Sequence, residues 1–282
     1  MHLTKHHGLG NDFLVLLDAD GSHPLEADLA RALCDRHTGV GADGIIRAAP
    51  AGPGEPGALV RMDLFNADGS RAEMSGNGIR CLGQALVLGW HGLGGDPPVA
   101  IPIATDAGLR TVTLHHRDDA VTHHLSVAMG QARLGDDAPE WTGGPVGRAV
   151  RVDVGNPHLV LDVTDSSGTG AGDDVDLTLL GEAVNAKVPG GANVHLLTAG
   201  TADGTPGVTI RTYERGVGPT RACGTGACAS AAAARARGLV GDRVAVDQPG
   251  GRADVSFRGE EVVLGGPATF VASIEPGTAP WR

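Results

Sequence analysis

A short glycine-flanked motif occurs twice in this chain, and the recurrence limits what the chain can fold into. Ser75-Gly76-Asn77-Gly78 follows Ala72-Glu73-Met74, and Cys223-Gly224-Thr225-Gly226 follows Arg221-Ala222. Each opens a run that reads as a helix. Each therefore puts a small nucleophilic side chain and bare backbone N–H groups at a helix start, which is half of an anion site and half of an acid/base site. The repetition extends further. Gly10-Asn11-Asp12 is echoed by Gly155-Asn156-Pro157, Gly41-Ala42-Asp43 by Gly191-Ala192-Asn193, and Asn66 by Glu214. Landmarks in the same order at nearly constant spacing argue for two structurally equivalent halves, and 282 residues are enough for two domains.

Local patterns place these landmarks. Residues 13–17 form a continuous apolar run short enough to be a buried strand. Residues 26–37 have helical spacing and stop near Gly39. Residues 58–65 alternate as a strand, with Asn66-Ala67-Asp68-Gly69 as its turn. From Gly76 to Trp90, Ile79, Leu82, Leu86 and Trp90 share one helical face. Residues 109–115 and 121–127 read as a strand pair around Asp118-Asp119, and 130–147 as loop. In the second half, 159–163 and 208–213 read as strands, 175–187 and the alanine-rich 225–237 as helices, and 244–263 as short strands. The Gly/Ser-rich stretch 166–172 reads as a flexible insertion, because no Lys-Ser/Thr follows it to make a phosphate loop. Mixed strands with one long helix per half predict an α+β fold.

Composition narrows the function. Aromatic residues are 3% of the chain, so Val, Leu, Ile and Ala must build the core. A net charge of −11 argues against a nucleic-acid or anionic-membrane surface. The opening residues show no signal-peptide pattern and no run is long enough to span a bilayer, so a cytoplasmic protein is expected. The four cysteines do not make a disulfide framework. Twelve histidines include the pairs His6-His7, His115-His116 and His123-His124. None has the helical His-x-x-x-His spacing of a zinc site, so they are read as core or surface residues, with no metal. Cys223, at a helix start, is expected to have its thiol pKa lowered toward neutrality by the dipole. Cys34, Cys81 and Cys228 are read as inert.

With these residues in view, the chain resembles the diaminopimelate epimerases over nearly its whole length. The resemblance is carried by Lys5 with Gly8-Leu9-Gly10-Asn11-Asp12-Phe13, Gly39-Val40-Gly41-Ala42-Asp43-Gly44, Phe65-Asn66-Ala67-Asp68-Gly69-Ser70 and Ser75-Gly76-Asn77-Gly78-Ile79-Arg80-Cys81. It continues through Gly155-Asn156-Pro157-His158, Tyr213-Glu214-Arg215-Gly216 and Ala222-Cys223-Gly224-Thr225-Gly226-Ala227-Cys228-Ala229. It implies two pseudo-symmetric α+β domains, each a curved mixed sheet wrapped around a central helix, with the active site in the cleft between them. The expected domains are 1–118 with 267–282 returning to it, and 119–266. No pyridoxal phosphate, other cofactor or metal is implied, and the partners implied are a small-molecule substrate and a second copy in a homodimer.

The chemistry implied is inversion of an α-carbon by two proton-transfer groups. Carried over by position, Cys223 is one catalytic base and Ser75 stands where the other belongs, with Glu214 and His158 supporting proton traffic. The backbones of Gly76, Asn77, Gly224 and Thr225 hold the reacting carboxylate. Asn66, Asn156, Asn193 and Arg215 bind the distal amino-acid end, and Asn11 lines the pocket. Asn66 reads equally as a turn former, and a surface ion pair is the plain alternative for Arg215.

Ser75 departs from the family pattern, where this position is normally cysteine, because a serine hydroxyl is scarcely ionised at neutral pH. Three readings follow: a serine variant that keeps epimerase activity, which is favoured; a deliberately introduced replacement; or a chain that has lost symmetric two-base chemistry. Rival functions are weaker. A proline or hydroxyproline epimerase has no use for the Tyr213-Glu214-Arg215-Gly216 clamp. A phenazine-type isomerase leaves Cys223 unexplained. A catalytically silent module that binds diaminopimelate-like amino acids is the alternative outside enzymes.

Overall fold

A computed structural model describes residues 1–89, 99–163, 175–202 and 204–277. Trp90 and the 166–172 insertion lie outside the described residues. In chain order the elements are β1 Leu3–Gly8, β2 Asn11–Leu17, α1 Ala27–Cys34, β3 Gly44–Pro50, β4 Val60–Asn66, α2 Gly76–Gly89, β5 Ala100–Thr105, β6 Gly108–Arg117 and β7 Thr122–Gln131. They continue with β8 Arg133–Asp137, β9 Arg148–Asp153, β10 Pro157–Asp162, α3 Leu177–Lys187, β11 Asn193–Ala202, β12 Thr205–Glu214, β13 Gly218–Thr220, α4 Gly224–Ala236, β14 Arg243–Gln248, β15 Gly251–Arg258 and β16 Glu261–Ile274. The chain divides into two compact units, Met1–Val127 with Gly266–Arg282, and Ala128–Gly265.

The first unit begins with a tight hairpin. β1 and β2 pair antiparallel from Gly8↔Asn11, joined by Leu9 and Gly10 with φ of 57° and 83°. Two successive positive φ values match the right-handed strand twist of a two-residue hairpin. Leu9 accepts a left-handed conformation that costs a non-glycine residue roughly 1–2 kcal/mol, and its side chain is buried. This hairpin sets the position of Asn11. β2 then runs parallel to β3 across α1, and β4 parallel to β5 across α2. β1 pairs with both β2 and β16, so this mixed sheet closes on itself. α2 packs against β1, β2, β3 and β6, and Gly76 through Val87 are all buried. A helix buried on every side belongs in a core, and α2, whose buried polar residues are Asn77, Arg80 and Gln84, is the core of its unit. α1 covers a cluster of Leu3, Leu14, Leu33, Ile45 and Phe65.

The second unit repeats this order of elements. β10 runs parallel to β11 across α3, and β12 parallel to β14 across α4. Its sheet order is β16-β15-β14-β12-β11-β10-β9-β8, with β13 alongside β12. α4 contacts β9, β10, β11, β12, β14 and β15. Alanine, the best helix former, fills its buried length and allows close approach on all sides. Thus each unit holds a mixed sheet around one central helix, as the duplicated motifs predict.

Two local expectations change. The predicted loop 130–147 contains β8 and a 3-10 turn at Pro139–Trp141. β8 has only exposed residues and forms by pairing with β9, so it carries no apolar alternation to read. α1 stops at Cys34 because the Asp35 carboxylate accepts the N–H groups of His37 and Thr38, fixing a turn. The second helix of each unit, α1 or α3, falls where the sequence places one, in 26–37 and 175–187.

Candidate active-site residues

At the start of α2, Ser75 Oγ accepts the N–H of Gly78 at 3.0 Å. The cap uses the third N–H of the helix, and helix geometry keeps those of Gly76 and Asn77 out of the intrahelical ladder. Asn77 Nδ2 donates to Asn11 Oδ1 at 3.2 Å, and Asn11 Nδ2 donates to Asp43 at 2.8 Å. Arg80, fully buried, donates to Asn77 Oδ1 at 2.8 Å and to the Gly76 carbonyl at 3.2 Å. Behind Asn11, Asp12 is held by Lys5 at 2.9 Å and Arg36 at 2.7 Å. Burial alone would raise the Asp12 pKa, but the hydrogen bonds from Arg36 and Lys5 outweigh it and hold the carboxyl below its usual range. Asn66 closes the turn after β4, its side-chain amide donating to Ser70 Oγ at 3.0 Å. Ser75, Gly76, Asn77 and Asn11 are therefore brought together, while Asn66 is tied into its own turn.

At the start of α4, Cys223 is the N-cap, and its Sγ accepts the N–H of Gly226 at 3.3 Å. Thr225 Oγ1 lies 3.5 Å from the sulfur. The N–H groups of Gly224 and Thr225 again stay outside the ladder. The expected thiolate is not what the structure holds. Burial, then the negative charge of Glu214, which also hydrogen-bonds the thiol, push the Cys223 pKa well above its ordinary value. The hydrogen bonds from Thr225 and Gly226 work the other way and lose. A helix terminus favours an anion by only about 0.3–1 kcal/mol at an exposed site, which desolvation of a buried sulfur and a neighbouring carboxylate readily exceed. Cys223 is thus a thiol donating to Glu214, whose Oε1 also accepts from Thr220 Oγ1 at 2.7 Å.

Asn193 opens β11 and Glu214 ends the adjacent β12, so strand pairing brings both to one end of the sheet. Asn193 Oδ1 accepts the Arg215 N–H at 2.9 Å, and the exposed Arg215 guanidinium donates to the Gly190 carbonyl at 2.6 Å. His158 and Asn156 belong to a buried relay. His158 Nε2 lies 2.8 Å from Asn156 Oδ1, His158 Nδ1 lies 2.8 Å from His195 Nε2, and His195 Nδ1 lies 2.9 Å from Thr212 Oγ1. Burial lowers both histidines, His195 to about 3 and His158 well below its ordinary value, so both rings are neutral. With Asn156 Oδ1 accepting, one donor order fits: Thr212 to His195, His195 to His158, His158 to Asn156. Both nitrogens of His158 are used in holding the Asn156 amide.

Three residues of this half escape sequence reading. Gln248 on β14 accepts the Cys223 N–H at 2.8 Å, and His195 and Thr212 complete the relay. Gly226 is required for this packing, since a Cβ there would sit 2.2 Å from His195 Cε1. Only pairing of β11 with β12 and the docking of α4 reveal these partners; alternation along Asn193-Val194-His195 is the one trace in the sequence. The remaining cysteines are buried, and burial pushes Cys34 and Cys81 up to about 12, as inert thiols.

The architecture is shared with solved structures. A hydroxyproline epimerase from Agrobacterium vitis superposes with a TM-score of 0.72 at 19% identity, covering 97% of this chain and 90% of the other. A phenazine biosynthesis protein of the PhzF family from Bacillus anthracis gives 0.70 at 17% identity, covering 97% and 98%. At such identities the likeness defines the fold. Sequence comparison defines the family: the diaminopimelate epimerase model matches residues 3–135 and 150–271, and the chain belongs to that family. Diaminopimelate epimerases from Rhodococcus opacus and Mycolicibacterium gilvum are 38% and 37% identical to it, over 97% and 100% of this chain and 96% and 99% of theirs.

Proposed function

We propose that this chain is an epimerase that interconverts LL- and meso-diaminopimelate by proton transfer at the α-carbon, using its own side chains. Family membership supports the substrate. The observation that carries the chemistry is the Cys223 thiol hydrogen-bonded to Glu214 at the start of α4. Passing its proton to the Glu214 carboxylate leaves a thiolate, which takes the substrate's α-proton. Inversion then requires a proton delivered to the opposite face of that carbon. Ser75 supplies that proton from its Oγ–H, and the alkoxide left, stabilised by the Gly78 N–H, either takes the proton back in the reverse direction or recovers one from solvent as Glu214 releases its own. The helix-start N–H groups of Gly76, Asn77, Gly224 and Thr225 receive the carboxylate next to the reacting carbon and stabilise the charge that develops there. Asn66, Asn156, Asn193 and Arg215 recognise the distal amino-acid end, Arg215 as the carboxylate clamp, and Asn11 lines the pocket. His158 acts by fixing the Asn156 amide. On the same proposal the protein acts in the cytoplasm as a homodimer on a small molecule, without nucleic acid or membrane. Separately, among the described residues no helix is long and apolar enough to cross a membrane.

The test is exchange of the α-hydrogen in deuterated water, measured from the LL and meso isomers separately by mass spectrometry. Deuterium incorporation with interconversion supports the reading. A folded protein that exchanges neither isomer refutes it, and calorimetric binding of diaminopimelate without exchange selects the silent binding module instead.

A further inference from the structure

The adjacent histidines of β6 and β7 show no metal spacing along the chain, yet strand pairing builds one. His116 and His124 are directly opposed across the hairpin, the position where antiparallel side chains lie closest. Their rings stack with centroids 4.6 Å apart and planes 10° from parallel. Nε2 of His116 lies 3.1 Å from Asp118 Oδ1, and Nε2 of His124 lies 3.2 Å from Asp118 Oδ2. One ligand atom from each residue fits within 4.8 Å of the others. The turn itself is held by Asp119, whose Oδ1 accepts the N–H groups of Val121 and Thr122. The Asp118 carboxylate is thereby left to the two imidazoles. Arg117 and His123, the next opposed pair, alternate to the other face of the hairpin.

We propose that His116, Asp118 and His124 form a binding site for a divalent transition-metal ion, with zinc the best match, on the β6–β7 hairpin. Bonds of about 2.0–2.1 Å at tetrahedral angles place ligand atoms about 3.3 Å apart, close to the 3.1 and 3.2 Å between each Nε2 and its Asp118 oxygen. Two imidazoles and one carboxylate suit zinc and leave a fourth position for water. Side-chain exposures of 60%, 41% and 30% give an ion direct access. On loading, Nε2 of each ring coordinates and any proton it carries passes to solvent or to Nδ1. The other His–Asp cluster, Asp18, Asp20 and His23, lacks this capacity. The Asp18 carboxylate is bound by Arg47 at 2.6 Å and by the N–H groups of Ser22 and His23.

The experiment is calorimetric titration of the chelator-stripped full-length chain with zinc chloride at pH 7.5. The wild type, the double variant His116→Asn/His124→Asn, Asp118→Asn and the control His23→Asn are compared. The wild type and the control are expected to take one ion at the same affinity. The double variant loses that ion, and Asp118→Asn weakens binding about tenfold. Zinc also raises the melting temperature of the wild type and leaves that of the double variant unchanged, while equal metal-free melting of the two shows that the variant folds. No zinc uptake by the wild type, or the same ion retained by the double variant, overturns the proposal.

Discussion

At the start of α2 a serine oxygen accepts the N–H of the residue three positions on; at the start of α4 a cysteine sulfur does the same. The backbone role is shared, and the surrounding chemistry is not. At the start of α2, beside Ser75, Asn77 hydrogen-bonds Asn11 and Arg80, amides and a guanidinium that accept no proton at neutral pH, and the Asp43 carboxylate is reached through Asn11. Around Cys223 stand Glu214, which takes the thiol hydrogen bond, and Thr225. The duplication has kept the helix cap and the parallel strands on either side of each central helix. It has let the proton-handling side chains diverge: thiol with carboxylate in one unit, hydroxyl with amides in the other. Capping needs only a small acceptor at the N-cap, whereas moving a proton needs a group that can hold one.

Removing the better-equipped half has the largest expected effect. Cys223→Ala is expected to lower deuterium exchange from both isomers by about 10³-fold or more, near the upper range of general acid–base contributions. Exchange retained from one isomer would give Ser75 a base function of its own and dissolve the contrast. Glu214→Gln comes next, with turnover falling about 10²-fold while the thiol becomes easier to ionise. The sign follows from the structure: the Glu214 charge raises the Cys223 pKa, so a neutral glutamine lets the thiolate form at lower pH. The pH midpoint of Cys223 alkylation reads this directly. A midpoint that stays put means the carboxylate does not govern the thiol. Ser75→Cys is the converse change and is expected to raise turnover roughly tenfold by giving the first unit an ionisable group. A fall in turnover would show that the serine half works by a route of its own.

The features legible in sequence are those that repeat locally. Ser75 and Cys223 announce themselves through small residues at helix starts, and both central helices follow from composition and spacing. The protonation state of Cys223 is not legible there, because the helix dipole can be read from position while burial and the approach of Glu214 depend on how β12 meets α4. The hairpin metal ligands and the His158–His195–Thr212 relay escape for a related reason: each joins residues on neighbouring strands, whose register the chain order does not display. β8 escapes because an exposed, charged edge strand has nothing but its partner to identify it.

The smallest expected effect concerns the histidines buried in each unit and tests whether the relay is neutral. His195 has its pKa lowered to about 3 by burial, and in the other unit burial also lowers His6, to about 4, against the hydrogen bond that His6 donates to Gln84 Oε1. An unfolded histidine titrates near 6.5. Between that value and the folded one, the unfolded chain binds a proton that the folded chain refuses, so acid removes stability across this window. Each such group contributes a slope of about 1.4 kcal/mol per pH unit well inside it. His195→Gln keeps the relay, since the glutamine amide can donate to His158 Nδ1 and accept from Thr212, but it cannot titrate. Urea unfolding between pH 6.5 and 5 is expected to lose up to one proton's worth of slope in this variant, with KM for diaminopimelate changed less than about threefold. His195→Leu loses the same slope, cannot donate to His158, and is expected to raise KM by about tenfold, the penalty for an unsatisfied buried polar group being about 1–3 kcal/mol. A full acid slope in His195→Gln would mean that the ring is already charged in the folded chain, and the first bond of the relay would then reverse, His195 Nδ1 donating to Thr212 Oγ1.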